Sequence, residues 1–210
     1  MDNFLSELNN ALTGTSYTEL FAVVTSILYL LLAARESLWC WLFALISTAL
    51  YTILLVDAQL WAETGLQAYY GVMAIYGYFN WKKHGTQSKD HHAPIEKMSI
   101  SQHLVSITGI IAGAAIMGFL LSKYTNAAMP YLDSFTTVGA LVVTWMVTRK
   151  FIDNWLYWIV VDSMGVYLYF SKELYLSSVL FVAYVIIVII GYFNWRKKLK
   201  LQLSEEYSNE

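Results

Sequence analysis

Apolar runs of 17 to 22 residues, each bounded by charged or turn-forming residues, recur seven times along this chain. They cover roughly 18–34, 38–55, 62–81, 101–121, 132–148, 152–170 and 174–195. About 20 apolar residues of helix cross about 30 Å of hydrocarbon. Helices are the expected crossing elements, because backbone polar groups find no water to bond inside lipid. The breaks are Arg35-Glu36, Asp57-Ala58-Gln59, the hydrophilic stretch 82–99, Lys123 to Asp133, Arg149-Lys150 and Lys172-Glu173. Both prolines, Pro94 and Pro130, fall in these connections. The pattern predicts an all-α membrane protein with seven transmembrane helices.

The runs are not independent. Gly77-Tyr78-Phe79-Asn80-Trp81-Lys82-Lys83 returns as Gly191-Tyr192-Phe193-Asn194-Trp195-Arg196-Lys197, 114 residues later. Sliding 18–83 onto 132–197 without a gap gives 16 identities in 66 positions, including Phe21/Phe135, Arg35/Arg149, Trp41/Trp155, Leu42/Leu156 and Tyr70/Tyr184. Matches among Leu, Ile and Val are cheap, but one register that also aligns Arg, Trp and Asn marks an internal duplication. Three runs lie in each copy and one between them. The plan is an N-terminal segment (1–17), a first three-helix repeat (18–83), a connecting loop with a linker helix at about 101–121 (84–131), a second repeat (132–198) and a tail (199–210). Phe4, Leu5, Leu8 and Leu12 fit one face of a short interfacial helix, or residues 1–17 are a frayed tail.

Composition supports a lipid solvent: 58% of residues are hydrophobic and 13% charged, against about 45–50% and about 25% in soluble domains. The single cysteine, Cys40, excludes an intrachain disulfide and a multi-cysteine metal site. The acidic N-terminus lacks the basic region of a signal peptide. The 13 basic residues are placed asymmetrically. Arg35, Lys82, Lys83, Lys89, Lys97, Arg149, Lys150, Arg196, Lys197, Lys198 and Lys200 fall on one face of the seven-span plan, and only Lys123 and Lys172 on the other. The positive-inside rule then puts the C-terminus in the cytoplasm and the N-terminus outside. With one span between them, the two copies run in the same direction, a 3+1+3 parallel repeat known among transporters. Gly109, Gly113 and Gly118 of the linker helix allow close packing.

That plan, with the Arg149–Trp158 run RKFIDNWLYW and the Ile75–Trp81 run IYGYFNW, resembles the PnuC family of bacterial vitamin transporters over residues 18–198. The resemblance implies a SWEET-like fold, inner-membrane facilitated diffusion of a vitamin with trapping by cytosolic phosphorylation, and a homotrimer. It implies no cofactor. Asp162, Ala74 and Ser47 stand where a nicotinamide riboside carrier is expected to have asparagines. They resemble the PnuT-type thiamine branch, so thiamine is the expected substrate and nicotinamide riboside the alternative.

Asp162 is the sharpest single signal. It lies midway along the sixth run, where an acid costs about 2.5–3.5 kcal/mol on insertion scales. It must face a polar cavity or a partner. Trp155, Trp158, Asp162 and Tyr169 share one helical face, with Gly165 leaving room beside them. Both vitamins are flat cations, which suit a carboxylate beside indole faces. A structural acid bonded to Tyr, Ser or backbone is the plainer alternative. Thr48 is the repeat mate of Asp162 and shares a face with Trp41 and Tyr51; Trp41 equally serves packing or interfacial anchoring. Gln67 and Tyr70 project from the third run with Ala74, and Tyr184 is the repeat mate of Tyr70. Asn80 and Asn194, in aromatic boxes at the cytoplasmic ends, either cap helices or close an inner gate.

Other classes fit less well. A rhodopsin needs a lysine in the last helix, and 174–195 has none. A receptor has no use for the duplication. No metalloprotease or nucleophile-elbow motif is present, and no second acid lies at depth, which argues against an enzyme. A proton-coupled carrier would lack a relay partner for Asp162. His84, His91 and His92 belong to a solvated loop rather than a metal site.

Overall fold

A computed structural model describes residues 14, 16–59, 61–87 and 93–208. The N-terminal segment through residue 13, and Lys89, Asp90, His91 and His92, lie outside the described residues. Seven helices follow one another within them: α1 (Tyr17–Ala34), α2 (Trp39–Asp57), α3 (Trp61–Gln87), α4 (Ile100–Tyr124), α5 (Pro130–Thr148), α6 (Asn154–Ser171) and α7 (Tyr175–Ser208). Local chemistry sets several ends. The Ser16 hydroxyl accepts from the Glu19 amide at 3.1 Å, Ser99 and Gln102 form a reciprocal capping box on α4, and Pro130 fits the first turn of α5, where its missing N–H has no partner to lose.

The fold is all-α, but by length and composition only α1, α2, α4 and α7 are long and apolar enough to cross a membrane. Helices α3, α5 and α6 fall short of that measure, where seven spans were expected. The cause is chemical. Tyr69, Tyr70 and Gln67 on α3, Asp133, Thr136, Thr137 and Thr144 on α5, and Trp155, Trp158, Asp162 and Tyr169 on α6 dilute their apolar character. Helices α3 and α7 also run past residues 81 and 195, because their lysines and arginines are good helix formers once in water.

Corresponding contacts recur 114 residues apart. Glu36 and Lys150 both turn the chain with positive φ (59° and 60°), and so do Gln59 and Glu173 (59° and 60°). The Glu36 amide donates to Ala33 O and the Lys150 amide to Val147 O, each at 3.0 Å. α1, α2 and α3 pack in sequence, as do α5, α6 and α7; the two groups meet along α1–α7 and α3–α5, and α4 packs on α5. Gly113 and Gly118 of α4 lie against Val138 and Tyr131, whereas Gly109 faces open space.

At the end carrying Arg35, Arg149 and Lys198, four tryptophans form a dry layer. Trp41 meets Trp81 edge to face at 5.2 Å, Trp155 meets Trp195 at 5.3 Å, and Trp81 and Trp195 lie 5.8 Å apart. All four are fully buried. The repeated glycine makes room for them: a Cβ on Gly77 would lie 2.3 Å from the Trp41 ring, and one on Gly191 2.7 Å from Trp155. Each of the two central indoles bonds the opposite helix group. Trp81 Nε1 donates to Val147 O at 3.1 Å and Trp195 Nε1 to Ala33 O at 3.0 Å.

Beneath this layer lies a charge cluster, built from residues that in the sequence mark only a polar break and the basic asymmetry. Lys150 and Glu36, both buried, pair at 2.5 Å, and Lys198 reaches the other Glu36 oxygen at 2.7 Å. The Lys150 ammonium also donates to Ala93 O and sits 5.1 Å and 5.8 Å from the Trp81 and Trp195 ring centres. Burial pulls its pKa below the ordinary lysine value, and Glu36 opposes that shift. Residues 93–98 strap the same end. Ile152 N donates to Glu96 O (2.9 Å), Ile95 N to Gln202 Oε1 (3.2 Å) and Met98 N to Asp153 Oδ2 (2.8 Å).

Candidate functional site

The two helix groups enclose a cavity of about 320 Å³. Its floor is set by Ala33, Trp41, Val147 and Trp155, directly above the tryptophan layer. Its far end reaches Asp133, whose carboxylate is 37% exposed and pairs with Lys172 at 3.1 Å. The cavity thus ends blind at the basic end and approaches the surface at the other.

All ten residues expected to bind substrate lie on this lining: Trp41, Thr48 and Tyr51 from α2, Gln67 and Tyr70 from α3, Trp155, Trp158, Asp162 and Tyr169 from α6, and Tyr184 from α7. Asn80 and Asn194 do not. The Asn80 amide donates to Thr148 O at 2.8 Å, tying α3 to α5, while Asn194 is exposed. The space left by Gly165 is taken by Phe181, whose ring would meet a Cβ there at 2.5 Å.

Asp162 is 4% exposed, yet its carboxylate makes no hydrogen bond or ion pair with any other described residue. Gln67 likewise has no partner for its amide among the described residues. The floor indoles of Trp41 and Trp155 also keep unbonded N–H groups. Buried polar groups are nearly always satisfied, so several unsatisfied ones around one cavity call for a ligand or water. The lining contains no lysine, arginine or histidine. Among the described residues no three His, Cys, Asp or Glu side chains converge to hold a metal.

The structure adds residues that the sequence did not single out. Ser26 and Tyr29 of α1, Asp133, Thr136, Thr137 and Thr144 of α5, and Phe181 of α7 complete the wall. The Ser26 hydroxyl lies 2.7 Å from the Tyr184 hydroxyl, and Thr136 donates to Asp133 O at 2.9 Å. Repeat pairing gave no clue to α5, since the mates of Thr136 and Thr137 are the apolar Ala22 and Val23, which do not line the cavity. Threonines on a membrane helix read as bonded to their own backbone.

The family profile "Nicotinamide mononucleotide transporter" matches residues 16–197. The chain belongs to this family. It is therefore a multi-pass bacterial membrane transporter and not an enzyme. The riboflavin/roseoflavin transporter RibM of Streptomyces davaonensis is 23% identical over 180 residues, 85% of this chain and 84% of RibM. The nicotinamide riboside transporter PnuC of Escherichia coli is 24% identical over 153 residues, 62% of this chain and 64% of PnuC. That of Neisseria mucosa is 26% identical over 140 residues, 62% of this chain and 53% of PnuC. The chain thus spans less than two thirds of these PnuC relatives. The crystal structure of the vitamin B3 transporter PnuC shares the fold, with a TM-score of 0.70 at 24% identity, covering 94% of this chain and 88% of that one.

These findings overturn the thiamine branch expected from Asp162, Ala74 and Ser47. The family profile is that of a nicotinamide mononucleotide transporter and the PnuC relatives are nicotinamide riboside transporters; none of these is a thiamine carrier. The substitutions that suggested the branch have packing uses of their own. Ser47 donates to Ala22 O at 3.2 Å across the α1–α2 contact, and Ala74 is buried in the core cluster with Trp41 and Trp81.

Proposed function

We propose that this chain carries nicotinamide riboside across the inner membrane by facilitated diffusion. The observation that carries this reading is a buried carboxylate without a partner among the described residues, facing an aromatic cavity between two helix groups. All seven helices are taken as spans, α3, α5 and α6 being less apolar because they wall the cavity. Residues 18–83 and 132–198 form parallel copies about an axis along the membrane normal, joined by α4, with residues 84–131 as the connection and 199–210 as a cytoplasmic extension of α7. The basic end faces the cytoplasm and the N-terminus lies outside; the assembly is a homotrimer, as family resemblance implies.

In this reading the pyridinium ring lies among Trp158, Tyr70 and Tyr169 with its charge toward Asp162. Gln67, Thr48 and Thr144 are placed to bond the ribose hydroxyls. The tryptophan layer, the Glu36–Lys150 pair and the strap close the cytoplasmic side, so the cavity opens outward. Rocking of one copy against the other breaks the paired indole–carbonyl bonds and opens the inner side. Among the described residues no second buried carboxylate or basic side chain lines the cavity to relay a proton from Asp162, so uniport is the simpler cycle, and cytosolic phosphorylation would trap the product.

A flavin is the second reading, favoured because RibM matches over 84% of its own length. Calorimetry on the purified chain with nicotinamide riboside and riboflavin separates the two. In proteoliposomes, nicotinamide riboside should equilibrate at a rate unchanged by an imposed pH or sodium gradient. Accumulation driven by either gradient would overturn uniport.

A further inference from the structure

We infer that Asp162 is the charge-selecting residue of this cavity, which takes a flat heteroaromatic ring bearing one positive charge and discriminates against an uncharged ring of the same shape. The inference rests on the carrier reading above and adds to it which chemical property of the ligand is read, and by which atom.

Two carboxylates, Asp133 and Asp162, line the cavity, and no basic side chain does. Asp133 is neutralised by Lys172 at 3.1 Å and sits at the accessible end. Asp162 has no such partner among the described residues and is 4% exposed. A carboxylate removed from water and left unpaired is costly, and a cationic ligand offsets that cost while a neutral one leaves it in place. The charge is also one-sided. The position 114 residues earlier is Thr48, which lines the same cavity but carries no charge. A ring with a single cationic centre is therefore drawn toward α6, where Trp158 offers an aromatic face beside the acid. Anionic groups gain nothing from this wall, so a phosphate added to the same cationic ligand should weaken its binding.

The decisive comparison uses nicotinamide riboside and its two-electron reduced form, dihydronicotinamide riboside, which keeps the shape and the ribose but loses the ring charge. Binding to the full-length protein and competition in proteoliposomes are measured with wild type and with Asp162→Asn, which preserves size and hydrogen-bonding capacity. Wild type is expected to prefer the cation about 10- to 100-fold, the range for a desolvated charge pair. The ratio should fall toward one in D162N through weaker cation binding, with the neutral ligand unchanged or improved. Equal affinity of wild type for both ligands overturns charge selection while leaving the carrier reading intact. So does an equal loss of both ligands in D162N, which would make Asp162 a packing residue. Failure of wild type to bind either ligand overturns the carrier reading and this inference with it. Should D162N fail to fold, the wild-type ratio alone still decides, and Asp162→Glu, which keeps the charge, should retain the preference.

Discussion

At the residue scale the site divides into groups that announce themselves and groups that do not. An acid in the middle of an apolar run is conspicuous because lipid tolerates it poorly, and Asp162 was legible for that reason. Removing it should cut uptake of nicotinamide riboside at least tenfold in Asp162→Ala, with monodispersity and thermal stability close to wild type. The Asp133→Asn variant is the contrast: its carboxylate already pairs with Lys172 at the cavity mouth, so uptake should change less than about threefold. Transport assays on matched protein amounts check both. Thr136, Thr137, Thr144, Ser26 and Tyr29 were not legible, since a hydroxyl on a helix can bond its own backbone and a lone tyrosine among leucines reads as packing.

At the scale of elements, helix positions followed from apolar periodicity, and helix ends did not. Apolar runs mark where lipid begins and stops, whereas α3 and α7 continue into water on good helix formers. The repeated Gly77 and Gly191 were visible as a duplicated box, but their purpose emerged only with Trp41 and Trp155 seated against them. Gly77→Ala should lower stability by about 1–3 kcal/mol, the usual cost of overpacking, and reduce the melting temperature in detergent. Gly109→Ala on α4, where nothing lies within 4 Å, should be neutral or slightly stabilising in the same assay. The Glu36–Lys150 pair was hidden for a different reason: charges at helix ends are assigned to topology by default. Lys150→Met should cost roughly 3–5 kcal/mol, because the buried Glu36 carboxylate keeps only the half-exposed Lys198. A thermal shift no larger than that of a surface lysine variant such as Lys83→Met would refute this.

For the whole molecule, the expected duplication rests on a gapless register of Arg, Trp and Asn in the sequence, and the structure adds matching positive-φ turns 114 residues apart. Branch assignment within the family was not, because it was drawn from three side chains whose meaning depends on what they touch. Ser47 and Ala74 line the cavity but also pack, Ser47 bonding Ala22 O and Ala74 lying in the core cluster, whereas the Asp162 carboxylate has no partner among the described residues. Orientation can be tested directly. In intact cells, with Cys40 replaced by Ala, a membrane-impermeant maleimide should label Ser122→Cys and leave Lys83→Cys unlabelled until the cells are permeabilised. The reverse pattern would invert the proposed topology.

The two indole–carbonyl bonds bear on how this carrier rests. Trp81 and Trp195 each hold the helix-terminal carbonyl of the opposite group, in a layer that excludes solvent. Any inward-open conformer strips both donors at once, and each orphaned group costs about 1–3 kcal/mol until water hydrates it. In the proposed orientation, an empty carrier would wait with its mouth toward the periplasm, and cargo departure into the cell would be governed by how fast water floods between those rings.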